Sequence, residues 1–462
     1  MPEDGHPIAA ETLTASLARF ATRLRFEDIE AAGVARAKAS LLDAIGCILA
    51  GAMTEEAAPV RAMVAADGGT PAAQLLGTTL RLPAAAAALA NGAAGHALDY
   101  DDSSPPMIGH PSVPILAASL ALGEARHASG RALIAAHVAG LEAAARLGRH
   151  MNPGHYAAGW HATATLGTLA AVVAASRIIG LDAPAMRMAI GIAASSAAGI
   201  RANFGSAVKP LHAGFAARNG VVAALLAAQG LQAEPSALDG ERGFIRIFGG
   251  AAPPDLAALR FDDGTPLEIL RSGISIKPYA CCGCTHSALD AMLAIRLRDR
   301  PAPAEVAAIH CTMNALVPDI LVHHRPATPP QAKFSMEYCL AVALLDGDCG
   351  MAQFTESRVA ATDVQALLRR VTTAVDPAIP YRNGVYPGTV TVTLADGRTL
   401  AASAEEAAGH PDFPLAAAAL RRKFLDCASA ALPPDRAARV FDTLAALEDI
   451  PDLADLARSL AA

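Results

Sequence analysis

The sequence predicts a mainly α protein in which a smaller α+β domain interrupts a helical one. Apolar residues recur at helical spacing from Thr12 to Gly230, short β-type runs then appear, above all Thr389-Val390-Thr391-Val392-Thr393-Leu394, and helical patterns return after Pro414. At 462 residues the chain is too long for one ordinary core, so two domains are expected. With 53% hydrophobic and only 18% charged residues it is no disordered chain and must bury a large surface.

In order, 12–51 reads as two helical segments, with Phe20, Leu24 and Phe26 on the first and Val34, Ala37, Leu41, Leu42, Ile45 and Leu49 on the second, stopped by Gly51. A helix over 57–66 ends at Gly68-Gly69, and 74–77 is an extended link. An Ala-rich helix from 84 is expected to continue through Tyr100. Helices over 112–125, capped by Ser112, and 130–147 follow, then one opening near His161 and running to Ile179, and one from Pro210 to Gly230. Gly249-Gly250, Pro253-Pro254 and Asp262-Asp263-Gly264 mark a loop-rich passage. Strands are expected at 273–276, 307–313 and 389–394, the last turning through Asp396-Gly397 into Arg398-Thr399-Leu400 as a hairpin. Helical patterns lie between them at 287–296, 334–345 and 364–371, and close the chain at 415–428 and 434–447. The division is therefore 1–267 helical, 268–408 α+β, and 409–462 a helical return.

Aromatic residues make up 4%, so Ala, Leu, Val and Ile fill the core and allow helices to approach closely. So apolar a chain is expected to bury further surface between identical subunits. Met1-Pro2-Glu3-Asp4-Gly5-His6 does not read as a signal peptide, and the most apolar uncharged run, 166–176, is cut off by Arg177, so a cytoplasmic protein without a membrane partner is expected. Eight cysteines without regular spacing point to reduced thiols. A net charge of −7 and no long Lys/Arg run argue against nucleic acid, while leaving room for a local cationic pocket that takes a small anion.

Chemistry concentrates in four clusters. His96 to Pro111 packs three carboxylates, two imidazoles and two serine hydroxyls into sixteen residues. On a continued helix His96, Asp99 and Ser103 share a face, and Pro105-Pro106 lets His110 fold back over it. A solvated Asp-rich helix end is the structural alternative. His161, in Gly159-Trp160-His161-Ala162-Thr163, stands at a helix N-terminus that favours an anion, or merely caps it; Trp160, the only Trp, reads as packing beside Tyr156. Lys209-Pro210-Leu211-His212 places a lysine just before a helix N-terminus, where the dipole does not favour it, so it either serves an anion or is solvated. Lys277-Pro278-Tyr279-Ala280-Cys281-Cys282-Gly283-Cys284-Thr285-His286 adds a second cation and a thiol group whose spacing does not match paired zinc ligands.

There is no phosphate-cradling Gly-rich loop, dinucleotide fingerprint or nucleophile elbow. Two lysines to neutralise carboxylates and several His/Asp groups to move protons suit abstraction of a proton next to a carboxylate, chemistry that needs no cofactor. Two other readings stand beside it: a non-catalytic carboxylate-binding protein, and a metal-dependent hydratase using Cys281, Cys284 and His286.

HALDYDD with GHP behind it, GWHATATLG, KPLHAGFAARNG, KPYACC followed by TH, and KFSMEYCLAVALLDG occur in this order. They strongly resemble the MmgE/PrpD family, which includes 2-methylcitrate dehydratase, cis-aconitate decarboxylase and iminodisuccinate epimerase, and the resemblance covers nearly the whole chain. It implies a large helical domain built from both chain ends, an inserted α+β lid, and a homodimer with the site in the cleft between domains. By motif match it implies His110 as the proton-transferring imidazole, Asp99 and His161 as its neighbours, Ser103 in the catalytic set, and Lys209, Lys277, His212 and Cys282 toward substrate, with no metal and no cofactor. Ser103 stands where the decarboxylase branch has Thr, and Cys282 where that branch has His. The DYDDS segment with an extra residue before GHP, GHYAAGWH, and NFG before KPLHAG are closer to the iminodisuccinate epimerase branch.

Overall fold

The computed structural model describes residues 11–250, 256, 258–261, 264–379 and 385–462; the expected turns at Pro253-Pro254 and Asp262-Asp263 and the N-terminal hexapeptide lie outside them. The protein is mainly helical. Its centre is a group of long apolar helices, Ala84–His96, Ser112–Ala125, Gly130–Met151, Ala162–Ile178 and Val208–Ala228, which pack on one another. Small residues set their spacing. A Cβ on Gly92 would lie 2.8 Å from the Gly214 Cα, and one on Gly214 would lie 2.4 Å from the Leu89 carbonyl oxygen, so the Ala84–His96 and Val208–Ala228 helices meet backbone to backbone. That crossing aims the end of one helix at the start of the other.

Val208–Ala228 is, among the described residues, the one helix long and apolar enough to cross a membrane by length and composition. It carries Lys209 and Arg218 and is gripped by the two helices beside it, which is how an apolar helix behaves inside a globular core.

The apolar interior falls into two clusters. One draws on Leu13 to Ile274 and then on Phe424 to Leu460; the other is built mostly from Tyr279 to Leu394. The chain ends meet where Ala417–Ala428 packs on Ala31–Gly51. In the second cluster a four-stranded sheet has the order Val371–Val375, Val306–Met313, Gly388–Leu394, Thr399–Ala404, the first pair parallel and the others antiparallel. Val390, Val392 and Leu394 point into the core while Thr389, Thr391 and Thr393 are half-buried, the alternation of a sheet with one face covered, and helix His286–Asp299 packs on this sheet. The Asp396-Gly397 hairpin forms as expected, with Gly397 at φ +86.

Several local expectations fail for definable reasons. The Ala84 helix stops at His96 and does not reach Tyr100; Asp99 lies at φ +50, a left-handed conformation that ends the turn. Ser112 is the first residue of its helix, and Pro111 occupies the cap position. Lys209 belongs to the first turn of the Val208–Ala228 helix and does not precede it. The run 273–276 makes only an isolated bridge, Ser275 with Ser103. The pattern read as helix at 364–371 splits into helix Thr362–Leu368 and edge strand Val371–Val375, the β-branched end joining the sheet. Helices Ala183–Ala194 and Leu453–Ser459 were not anticipated.

A buried ion pair ties the C-terminal return to the loop after His96. The Lys423 ammonium pairs with the Asp43 carboxylate, donates to the Tyr100 carbonyl at 2.8 Å, and lies 4.0 Å from the centre of the Tyr100 ring. Removing one partner leaves the other charge buried without compensation, so Lys423→Met should lower stability by about 3–5 kcal/mol in urea unfolding, with much of the loss recovered by adding Asp43→Asn. A loss of under about 1 kcal/mol would show that the pair does not hold this junction.

Candidate active site

A cleft of about 910 Å³, counted out to its open mouth, lies between the two apolar clusters. Asp99, Ser103, His110, His161 and Lys209 line it from the helical side and Lys277 and Cys282 from the other. Seven of the eight residues expected at the site thus share one cavity.

The eighth, His212, does not line the cleft. Its Nδ1 is 2.9 Å from the His161 Nδ1, and its ring stands behind that imidazole, so it can set His161's tautomer and orientation without reaching a ligand. Lys209 and His212 lie three positions apart on the helix starting at Val208, the lysine at the cleft and the histidine behind His161.

At the centre is Asp99, whose Oδ1 accepts from Lys209 Nζ and from Lys277 Nζ, each at 2.9 Å. Lys277 Nζ also donates to the Asp99 carbonyl at 2.7 Å. All three side chains are buried. Burial pushes the Asp99 carboxyl up, but the two ammoniums outweigh it and hold it well below the usual carboxylate range. Lys277 is held in its charged form by Asp99 and Asp101 against the opposing effect of burial, its pKa lying above that of a free lysine. Two cations on one carboxylate leave an excess of positive charge facing the cleft.

His110 stands beside this charge cluster. Its backbone N–H donates to Thr163 Oγ1 at 3.0 Å, and its Nδ1 lies 2.8 Å from the Asp102 carbonyl and 3.3 Å from that of Asp101. A ring nitrogen facing carbonyl oxygens must bear hydrogen, so Nδ1 is the donor and the neutral ring presents its lone pair at Nε2. That Nε2 is 3.5 Å from Asp99 Oδ1, too long for a good hydrogen bond but close enough to stabilise an imidazolium. Burial pushes the His110 imidazole down to about 3.

Neighbouring groups extend the array. His96 Nδ1 meets both oxygens of Asp101 at 2.9 and 3.0 Å, and its ring centre is 4.5 Å from that of His110 and 5.7 Å from that of His161. Burial, and then the Lys209 charge, push His96 and His161 well below the ordinary histidine value. Asp101 and Asp102 are pushed up by burial. Ser103 is pinned by paired backbone bonds with Ser275, and His161 is packed edge-on against Phe204 with ring centres 4.9 Å apart.

Several cleft residues went unnoticed in the sequence. Tyr156, Phe204 and Phe334 form its apolar walls, and Glu406 and His410 stand at the far side, 3.4 Å apart. His96 and Asp101 had been quoted only as part of the cluster, yet they make its shortest His–Asp contact. Trp160 packs on Phe248, as its packing reading implied.

His96, Asp99, Asp101 and His110 present ligand atoms within 4.8 Å of one another, a set with the donors for a cation. The two ammoniums on Asp99 already supply that charge and would repel another cation, so an anion is the better match. The hydratase set divides: Cys284 and His286 line the cleft, whereas Cys281 turns away toward Cys339 and Cys349.

Residues 15–257 match the family model of the MmgE/PrpD N-terminal domain and 279–449 that of the MmgE/PrpD C-terminal domain. Among curated proteins, cis-aconitate decarboxylase of Mus musculus is 30% identical over 460 residues, covering 97% of this chain and 93% of that protein. The Homo sapiens cis-aconitate decarboxylase is 31% identical over 385 residues, covering 81% and 78% respectively. The Aspergillus terreus cis-aconitate decarboxylase is 27% identical over 475 residues, covering 97% and 96%.

Because burial lowers His110 from its ordinary 6.5 to about 3, the ring should stay neutral and Nδ1-protonated at pH 6. Nitrogen-15 NMR of histidine-labelled protein, assigned through His110→Gln, checks this; a charged His110 at pH 6 would contradict it. The unfolded chain protonates this group near 6.5 and the folded chain only near 3. Its share of stability is therefore full above 6.5 and falls by up to about 1.4 kcal/mol per pH unit as pH drops between those values.

Proposed function

The chain belongs to the MmgE/PrpD family, and from that membership and the cleft geometry we propose a cofactor-independent carbon-acid lyase that moves a proton beside a carboxylate of a small di- or tricarboxylate. The observation that carries the proposal is His110: its Nδ1 is committed to the Asp102 carbonyl at 2.8 Å, and its Nε2 lies beside an aspartate held by two lysines.

Each ammonium has three donors, of which Lys209 uses one on Asp99 and Lys277 two. The remaining donors can hold a substrate carboxylate. When His110 Nε2 takes the adjacent C–H proton, the electron pair moves into that carboxylate, and the ammoniums stabilise the added charge. Asp99 Oδ1 stabilises the imidazolium so formed. Its proton can then return to a departing hydroxyl or to carbon, and inversion would need a second group, such as His161, to protonate the opposite face. In decarboxylation the order reverses: His110 takes a proton from solvent as the anionic ligand binds, the C–C bond to carbon dioxide breaks, and the imidazolium gives that proton to the resulting carbanion. Ser103 and His161 supply further polar contacts to the ligand, and the α+β portion at 268–408 acts as the lid of a cytoplasmic homodimer.

The names of the curated relatives make cis-aconitate the first substrate to try. A second reading, epimerisation of an iminodisuccinate-like dicarboxylate, is favoured by Cys282, a cleft residue standing where the decarboxylase-type pattern has His.

His110→Ala should fold normally and lose roughly 10²–10⁴-fold in turnover, as expected for a general acid/base. Wild-type turnover in that variant would remove His110 from the mechanism. Lys209→Ala should chiefly raise KM. Proton NMR in D₂O with 2-methylcitrate, citrate, cis-aconitate and aspartate-derived iminodisuccinate would identify the substrate by deuterium uptake and the reaction by its product. No uptake with any of them, beside tight binding of one, would favour a carboxylate-binding protein.

A further inference from the structure

Behind the cleft wall three thiols converge. Cys281 lies in the loop that carries Lys277, Cys339 on helix Met336–Asp346, and Cys349 in the turn after that helix; their sulfurs all lie within 4.8 Å of one another. All three are fully buried free thiols, and none lines the cleft, although their neighbours Cys282 and Cys284 do. We propose that Cys281, Cys339 and Cys349 form a closed structural site for a thiophilic d¹⁰ cation, Zn²⁺ or Cu⁺.

The geometry suits such an ion. A Zn–S bond of about 2.3 Å in a tetrahedron separates the sulfurs by about 3.8 Å, inside the observed limit. Thiolate donors select soft cations over Mg²⁺ or Ca²⁺. Three thiolates complete a trigonal Cu⁺ site. For Zn²⁺ a fourth donor is at hand in Thr285, whose Oγ1 is 3.1 Å from Cys281 Sγ. Binding releases the thiol protons to solvent and leaves a site of net negative charge, which the buried Lys333 ammonium, interacting with Cys281, helps to balance.

The ion's work would be mechanical. The loop is already pinned by Ala280 N–H to the Cys349 carbonyl and Cys282 N–H to the Lys333 carbonyl, both at 3.0 Å. A cation shared by three segments would fix the same loop by its side chains, and with it Lys277 on Asp99. Because the sulfurs face away from the cleft, this ion has no open position toward a substrate, which separates it from a catalytic metal.

The test uses the full chain, reduced and freed of metal by a chelator. Zn²⁺ and Cu⁺ are each titrated against a chromophoric competitor, and Cd²⁺ is added to read the ultraviolet thiolate-to-metal band. Expected are one equivalent per chain, a rise in Tm on loading, loss of the band in Cys339→Ser and Cys349→Ser, and retention of the band in Cys427→Ser, whose thiol lies elsewhere. X-ray absorption of the loaded chain, which reads the number of donors, distinguishes the trigonal from the tetrahedral site. Substoichiometric binding of both cations, or a band that survives Cys339→Ser, overturns the site. Should the serine variants fail to fold, native mass spectrometry of the wild type decides: one chelator-sensitive metal supports the site, and none refutes it. No readout depends on turnover, so the result stands apart from the proposed reaction.

Discussion

One carboxylate oxygen, Asp99 Oδ1, accepts from two buried ammoniums, and most of the site's geometry follows from satisfying it. Lys209 comes from a core helix and Lys277 from the loop opening the second apolar cluster, so this shared acceptor bridges both. Leaving any of the three charges buried and unpaired would be costly, so the groups must arrive together. The chain meets that demand with a left-handed residue at Asp99 just past a helix end, and with a helix crossing close enough to need Gly92 and Gly214.

The same close packing explains the histidines. Small residues let helices approach until little water remains, and burial lowers His96, His110, His161 and His212 together. Neutral imidazoles beside two ammoniums make a cleft whose charge on the Asp99 side comes from Lys209, Lys277 and Asp99, with Glu406 across from them. A cleft of that kind attracts a carboxylate first. The negative charges of that ligand then make protonation of His110 easier, which couples binding to proton transfer.

Much of this was legible in the sequence. Helical periodicity located the long helices because each buries a stripe or a whole surface, and Asp396-Gly397 located its hairpin because a tight turn limits the residues that fit. The motifs brought seven residues to one cavity, yet the assumed route was wrong: His96, Asp99 and Ser103 do not share a helix face. They reach the site through a left-handed turn and a bridge to Ser275, neither of which has a periodic signature. His212 was misassigned because spacing on a helix does not reveal which of two inward layers meets the cavity. Phe204 and Phe334 escaped notice, and Tyr156 was read only as a neighbour of Trp160, because an aromatic in a wall looks in sequence like one in a core. Cys281, Cys339 and Cys349 converge across almost seventy positions, beyond any local pattern.

The wall around Cys282 then bears on what the buried charge cluster would do with a substrate. The clamp on Asp99 and the orientation of His110 serve any proton transfer next to a carboxylate, and neither specifies what leaves. Departure depends on what faces the rest of the ligand, and there this chain offers the Cys282 thiol where the decarboxylase-type pattern has an imidazole. The thiol is shorter, donates weakly, and is engaged by the neighbouring Cys284, whose hydrogen bond lowers its pKa. A weakly donating thiol cannot deliver a proton or hold a carboxylate as an imidazole can, which is the ground on which the second reading, epimerisation, is proposed. In the proposed reaction position 282 would bear on the leaving step, while Lys209, Lys277 and His110 would bear on the proton.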